Sequence, residues 1–185
     1  MNAEWLNRYF DLYRGSIFNT SIYDDLLKIK NLWEKACENK RKVIFAGNGG
    51  SAAMASHCAV DLTKNARIRA INFNEADLIT CLANDFEHDN WMAKAVEFYG
   101  DENDVLVLIS SSGNSKNVIA AADQAQKMGI EVITLTGFKP DNPLKKKGSI
   151  NLWVDIKAYN IVEMTHHIWL LSIIDMIIGS AQYDS

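Results

Sequence analysis

The chain is poor in proline and cysteine and has no excess of positive charge, and each shortage excludes something. Its two prolines stand close together at Pro140 and Pro143, and no proline- or serine-rich linker divides the sequence. A single domain is therefore the expectation for 185 residues. The three cysteines, Cys37, Cys58 and Cys81, are odd in number and lack CxxC spacing, which fits a reducing compartment better than a disulfide framework. The formal net charge of −4 argues against a dedicated nucleic-acid binder, which normally needs a basic stripe to displace counterions. The one basic cluster, Lys145 to Lys147, lies beside Pro143 and Gly148 and reads as a solvated turn. No secretory leader is visible, because the stretch from Met1 to Gly15 is amphipathic and charged. A cytoplasmic location follows as the expectation.

Long uninterrupted apolar runs are also missing. The nearest approach, Ile161 to Ile178, carries Glu163, His166, His167 and Asp175, whereas a membrane span needs about 20 mostly uncharged residues. A buried helix is the better reading, with no membrane partner. What the chain does have is 48% hydrophobic and 23% charged residues, enough to build one sizeable core.

Helical spacing of Trp5, Tyr9, Phe10 and Tyr13, then of Leu26, Ile29, Leu32 and Trp33, predicts two helices within residues 1–40, about Asn2 to Arg14 and Ile22 to Asn39. Asn19, Thr20 and Ser21 lie between them and are placed to cap the second. This pair would cover a sheet or a partner subunit. Beyond it the pattern alternates. Strands are predicted at Lys42 to Ala46, Ile68 to Phe73, Val105 to Ile109, Val132 to Thr136 and Ile150 to Val154. Helices are predicted at Ala52 to Asn65, Glu75 to Cys81 with Asn74 as its cap, Asn90 to Tyr99, Ser115 to Met128 closed by Gly129, and Tyr159 to Ile178. Alternation of this kind is the signature of an α/β fold: three layers, α/β/α, around a central parallel sheet.

Two of the strands run into loops of small residues, Gly47-Asn48-Gly49-Gly50-Ser51 and Ser110-Ser111-Ser112-Gly113-Asn114-Ser115, and then into helices. Backbone N–H groups, hydroxyls and a helix N-terminus gather around phosphate in such loops. Neither loop is a Walker loop, since no GK[ST] follows, and neither matches GxGxxG, so no nucleotide cofactor is expected. Taken alone, the second loop is equally a serine-rich turn with Ser115 as an ordinary cap. Together, at the carboxyl edge of a parallel sheet, the two point to a phosphorylated small molecule.

Four stretches, GNGGSAAMASHCAVDLT, LANDF at Leu82 to Phe86, ISSSGNSKNVIAA and VITLTG, together resemble the sugar isomerase (SIS) domain proteins, and among them the phosphoheptose isomerases. The likeness runs from about residue 20 to residue 178, which makes 1–185 a single SIS domain with 1–40 as a helical packing or oligomerisation segment. It implies an aldose–ketose isomerase that converts sedoheptulose 7-phosphate to D-glycero-D-manno-heptose 7-phosphate for bacterial surface-polysaccharide precursors (lipopolysaccharide or capsule). It also implies a homotetramer with active sites between subunits, in a family where many members hold zinc. By position, Asn48, Gly49, Gly50 and Ser51 would line the sugar-phosphate site, Ser110, Ser111, Ser112 and Ser115 would hold the phosphate, and Asn84 and Asp85 would contact the sugar. His57 would match the first zinc-ligand histidine. Asp61 falls where the family has a glutamate serving as metal ligand and base.

The resemblance breaks on the last helix. There the family usually carries a glutamine and, eight residues later, a histidine; alignment on Glu163 puts Val162 and Leu170 in those places. His166, four residues from each, would project from the same face. Glu163 and His167 form an i, i+4 pair, as do His57 and Asp61, and these four could hold zinc or another divalent ion. The plainer alternative is that one of His166 and His167 packs at an interface and the other is solvated. Isomerisation through an enediol needs one base at the carbons and an acid/base group at the oxygens, with or without a metal. Asp61 or Glu163 is the expected base and His166 the expected proton donor, with His57 as its partner or a metal ligand. Two other functions stay open: a non-catalytic sugar-phosphate-binding or regulatory SIS protein, and an isomerase of another ketose phosphate.

Overall fold

The computed structural model describes residues 2–183. Its sheet has five strands, β1 Val43–Gly47, β2 Ala70–Asn72, β3 Val105–Ser110, β4 Glu131–Gly137 and β5 Ile150–Val154, in the order β2-β1-β3-β4-β5. Every pairing is parallel, with Val43 beside Val105 and Val105 beside Glu131. The central strands are buried on both faces, which is why they read as unbroken apolar runs rather than alternating ones. Their side chains still alternate in direction. Val43, Phe45, Val105, Val107 and Ile109 face one core, while Ile44, Ala46, Leu106 and Leu108 face the other.

Seven helices are present among the described residues: α1 Ala3–Ile17, α2 Tyr23–Glu38, α3 Gly50–Lys64, α4 Ala76–Phe86, α5 Trp91–Tyr99, α6 Lys116–Lys127 and α7 Tyr159–Ile178. Helices α2, α3 and α7 cover the first face, and α4, α5 and α6 the second. This is the expected three-layer arrangement. Helix α7 alone among the described residues is long and apolar enough to cross a membrane, yet it is a core helix. Its buried residues recur in adjacent pairs, Ile161/Val162, Thr165/His166, Trp169/Leu170 and Ile173/Ile174, one pair per turn.

The first two helices differ in fate. Helix α2 buries Leu26, Ile29, Trp33 and Ala36 against the sheet, whereas α1 buries only Ser16 and leaves Trp5, Leu6, Phe10 and Leu12 exposed. Helix α1 is tied to α7 by polar contacts, Ser16 Oγ to Thr165 Oγ1 at 2.9 Å and Tyr13 Oη to the Asn160 carbonyl at 3.3 Å.

Several boundaries need correction. Helix α4 continues to Phe86 instead of ending at Cys81, and stops where Glu87 adopts φ 69°. Asn74 does not cap it. Its amide donates to the Ala52 carbonyl and to Ser56 Oγ, both at 2.7 Å, so it clamps α3. Asn19 accepts from the Ser21 N–H and caps the short 3-10 turn leading into α2, not α2 itself. Gly129, at φ 69°, does close α6.

Candidate active site

Both small-residue loops leave the carboxyl edge of the sheet side by side, because β1 and β3 are neighbours. A side chain at Gly47 would place its Cβ 2.7 Å from Ser51 Cβ and 2.8 Å from the Ile109 carbonyl oxygen, so only glycine lets α3 start this close to β3. Gly49 holds φ +56°. The loops are locked together by a reciprocal amide pair: Asn48 Nδ2 donates to Asn117 Oδ1 at 3.0 Å and Asn117 Nδ2 donates to Asn48 Oδ1 at 2.9 Å. Asn117, buried on the first turn of α6, escaped the sequence analysis because a lone asparagine inside a helix carries no local signal. Replacing it with alanine removes two hydrogen bonds of about 1 kcal/mol net each. Asn117→Ala should therefore lower unfolding free energy by about 1 to 2 kcal/mol in urea titration; an unchanged midpoint would mean that the pair does not hold the loops.

Between the loops lies a cavity of about 130 Å³ lined by Asn48, Ser51, Ile109, Ser110, Ser111, Ser112, Ser115, Tyr159 and Glu163. Helices α3, α6 and α7 all begin at or next to it, so three N-terminal dipole ends favour an anion there. Ser111 Oγ is buried with no hydrogen-bond partner, and Ser110 Oγ and Ser115 Oγ lie 3.3 Å apart. Most buried side-chain polar atoms have a hydrogen-bond partner, so the Ser111 hydroxyl is free to serve a ligand in the cavity. A larger depression of about 410 Å³, at the amino ends of β1 and β3 and lined by residues such as Lys35, Arg41 and Glu131, lacks such convergent groups.

Glu163 and Tyr159, both on α7, close the cavity from above. The Glu163 carboxyl carbon is so near Gly50 that a Cβ there would approach it to 2.8 Å. Partial burial raises the Glu163 pKa above the ordinary carboxylate value. Tyr159 is an addition to the sequence reading; its ring packs edge-on against Phe138 at 4.9 Å.

The remaining predicted site residues separate into three places. His166 does lie on the face shared by positions 162 and 170, but that face is pressed into the core. Val162 and Leu170 are fully buried, and so is His166. Its Nε2–H donates to the Thr136 carbonyl at 3.0 Å, Nδ1 has no partner, and desolvation pushes its pKa down to about 4. This corrects the expectation of a proton donor at the site: His166 is a neutral core residue between α7 and β4. Asn84 and Asp85 sit exposed in the last turn of α4, hydrogen-bonded to each other at 2.9 Å and outside the cavity lining.

His57, Asp61 and His167 meet on the seam between α3 and α7. His57 Nε2 lies 3.3 Å from Asp61 Oδ2, and His57 Nδ1 lies 2.9 Å from His167 Nε2, with the rings nearly perpendicular at 82°. Burial, with a smaller contribution from His57, lowers the His167 pKa. Asp175, further along α7, has its pKa raised by burial and by Asp61. The four expected metal ligands do not converge. Both nitrogens of His57 face protein partners, Glu163 is turned toward Gly50, and no group of three or more His, Cys, Asp or Glu side chains among the described residues has metal-holding geometry. As arranged, these donors do not fit a tetrahedral zinc.

Comparison with known proteins places this geometry. The SIS domain model matches residues 16–137. A phosphoheptose isomerase of Helicobacter pylori (strain HPAG1) is 41% identical over 106 residues, a stretch that spans 55% of that protein and 54% of this chain. One from Buchnera aphidicola subsp. Schizaphis graminum is 31% identical over 178 residues, covering 94% of this chain and 91% of the relative. The solved phosphoheptose isomerase of Francisella tularensis superposes with a TM-score of 0.88 at 25% identity, over 97% of this chain and 100% of that one. The likeness extends through both loops, the whole sheet and α7, and the chain belongs to the SIS domain family, among the phosphoheptose isomerases.

Proposed function

We propose that the protein is an aldose–ketose isomerase that converts sedoheptulose 7-phosphate to D-glycero-D-manno-heptose 7-phosphate. One observation carries the reading: a carboxylate, Glu163, is held over a cavity of serine hydroxyls and helix N-termini that includes the unpartnered Ser111 Oγ. The serines and dipoles hold the phosphate and fix the sugar chain. Glu163 takes the proton from C1 of the open-chain ketose and returns it to C2. Its raised pKa suits a base that must give the proton back. No step is assigned to a metal, because the donors on the α3/α7 seam do not fit one. The three free thiols support a cytoplasmic reaction, and the product would serve heptose supply for surface polysaccharide. The exposed aromatic face of α1 supports a homo-oligomer, a tetramer on the family pattern, which sedimentation of the purified protein reads directly.

The deciding assay follows aldose phosphate formation from sedoheptulose 7-phosphate by chelator-treated protein, with and without added zinc. Turnover without metal is expected. Turnover only with stoichiometric zinc would overturn the metal-free reading of the seam, and no aldose product in either case would overturn the isomerase. The second function, sugar-phosphate binding without catalysis, has the burial of positions 162, 166 and 170 in its favour. It predicts saturable binding with no turnover and no deuterium exchange at C1.

A further inference from the structure

The serine loop is held from outside by a second loop, which does not itself line the cavity. Between β4 and the short 3-10 turn Leu144–Lys146, residues 139–141 and 143 are exposed, yet Asn142 among them is only 2% exposed. A polar side chain buried in an exposed loop needs hydrogen-bond partners there, and this one has three. Its Nδ2 donates to the Lys139 carbonyl at 2.8 Å and to the Gly137 carbonyl at 3.4 Å, while its Oδ1 accepts from the Lys145 N–H at 2.9 Å. The amide thus ties the start of the loop to its end.

Each end of that loop holds one carbonyl of the serine loop. The Gly137 N–H donates to the Ser111 carbonyl at 2.9 Å, and the Leu144 N–H donates to the Gly113 carbonyl at 3.1 Å. Gly113, at φ +63°, lies directly against the Asn142 side chain, so that a Cβ there would overlap the amide and come within 2.8 Å of Asn142 Cβ. From these contacts we infer that Asn142 is a positioning residue for the phosphate: it sets the spacing of the two N–H groups that hold Ser111 and Gly113, and with it the direction of the unpartnered Ser111 hydroxyl. This rests on the serine cavity being the phosphate site, as read above, and on no catalytic step.

The chemistry at the position is specific to an amide. Only a side chain with two donors and an acceptor meets two carbonyls and an N–H at once. Aspartate has the same shape and keeps the Lys145 contact, but turns an acceptor toward the Lys139 and Gly137 carbonyls. Alanine removes all three bonds. Neither change alters a residue that lines the cavity. A loop released in this way must be reordered each time a phosphate binds, which costs affinity.

The test is calorimetric titration of wild type, Asn142→Ala and Asn142→Asp with sedoheptulose 7-phosphate and with inorganic phosphate, each with and without Ser111→Ala. Both Asn142 variants should bind either ligand about tenfold more weakly, the scale of one hydrogen bond to a charged group. In the Ser111→Ala background the same substitutions should cost less than about threefold, because the hydroxyl they misdirect is gone. Should the alanine variant fail to fold, Asn142→Asp decides by the same cycle. Wild-type affinity in either variant, or an equal loss in both backgrounds, overturns the positioning role. Wild-type protein that binds both ligands and forms no aldose overturns the isomerase reading and leaves this one standing; wild-type protein that binds neither overturns the phosphate site and this role with it.

Discussion

Glu163→Gln should lower kcat by about a thousandfold while leaving KM for the sugar phosphate within a few-fold. General acid–base groups contribute 10²- to 10⁴-fold, roughly, and Glu163 is the one carboxylate among the described residues that lines the serine cavity. The amide keeps the shape of the side chain over Gly50 and cannot take a proton. Binding should be spared, since the proposed phosphate contacts are the serines and helix N-termini and not Glu163. Gly50→Ala supplies an independent check: its Cβ would meet the Glu163 carboxylate and push it aside, and misplacement of about 1 Å costs on the order of a hundredfold. The pH behaviour has a definite sign. Burial raises the Glu163 pKa, and the base works only when ionised, so the acid limb of the rate profile should lie above the ordinary glutamate value of 4.5. The same shift favours the protonated form in the folded state, and its stabilising contribution is lost as pH rises through the folded pKa. Removing the charge should therefore not weaken the fold at neutral pH, and a small rise in Tm is expected. Undiminished kcat in Glu163→Gln would remove Glu163 from the chemistry and return the base to Asp61.

The second large effect concerns stability and comes from His166. Its pKa falls from 6.5 to about 4 on folding because the ring is fully buried. The unfolded chain thus binds a proton that the folded chain refuses, and stability rises with pH through the window from about 4 to 6.5. At about 1.4 kcal/mol per pKa unit, acidification through that window costs roughly 3 kcal/mol, a large share of the ~5–15 kcal/mol that holds a typical domain. Glu163 and Asp175, whose pKa values are raised, pull the other way, so the measurement is a difference. His166→Gln can keep the donated bond to the Thr136 carbonyl and has no charge to acquire. Urea unfolding at a series of pH values should show a steeper acid loss in wild type than in this variant. Parallel curves would show that the ring is hydrated in the native state.

The strands, the order of helices and the two small-residue loops were legible because each rests on local chemistry. Apolar runs such as VIFA and VLVLI have one use in an α/β chain, and glycine with serine after a strand has few. The pairing of Asn48 with Asn117 was not legible, since 69 residues separate partners that meet only because β1 and β3 are neighbours.

On α7 sequence and structure divide most sharply. Helical spacing by itself places residues 162, 166 and 170 on one face and Glu163 and His167 on the next. Periodicity fixes which residues travel together and says nothing about which face meets the sheet. Packing decided that: the 162/166/170 face lies against β4 and the core, which removes His166 from the chemistry, and the adjoining face meets α3. Sequence alone therefore determined the family, the fold and the position of the two small-residue loops. The tertiary structure assigned the histidines, because a helix rotation of one residue moves a side chain by about 100° and separates the buried His166 from the half-buried His167.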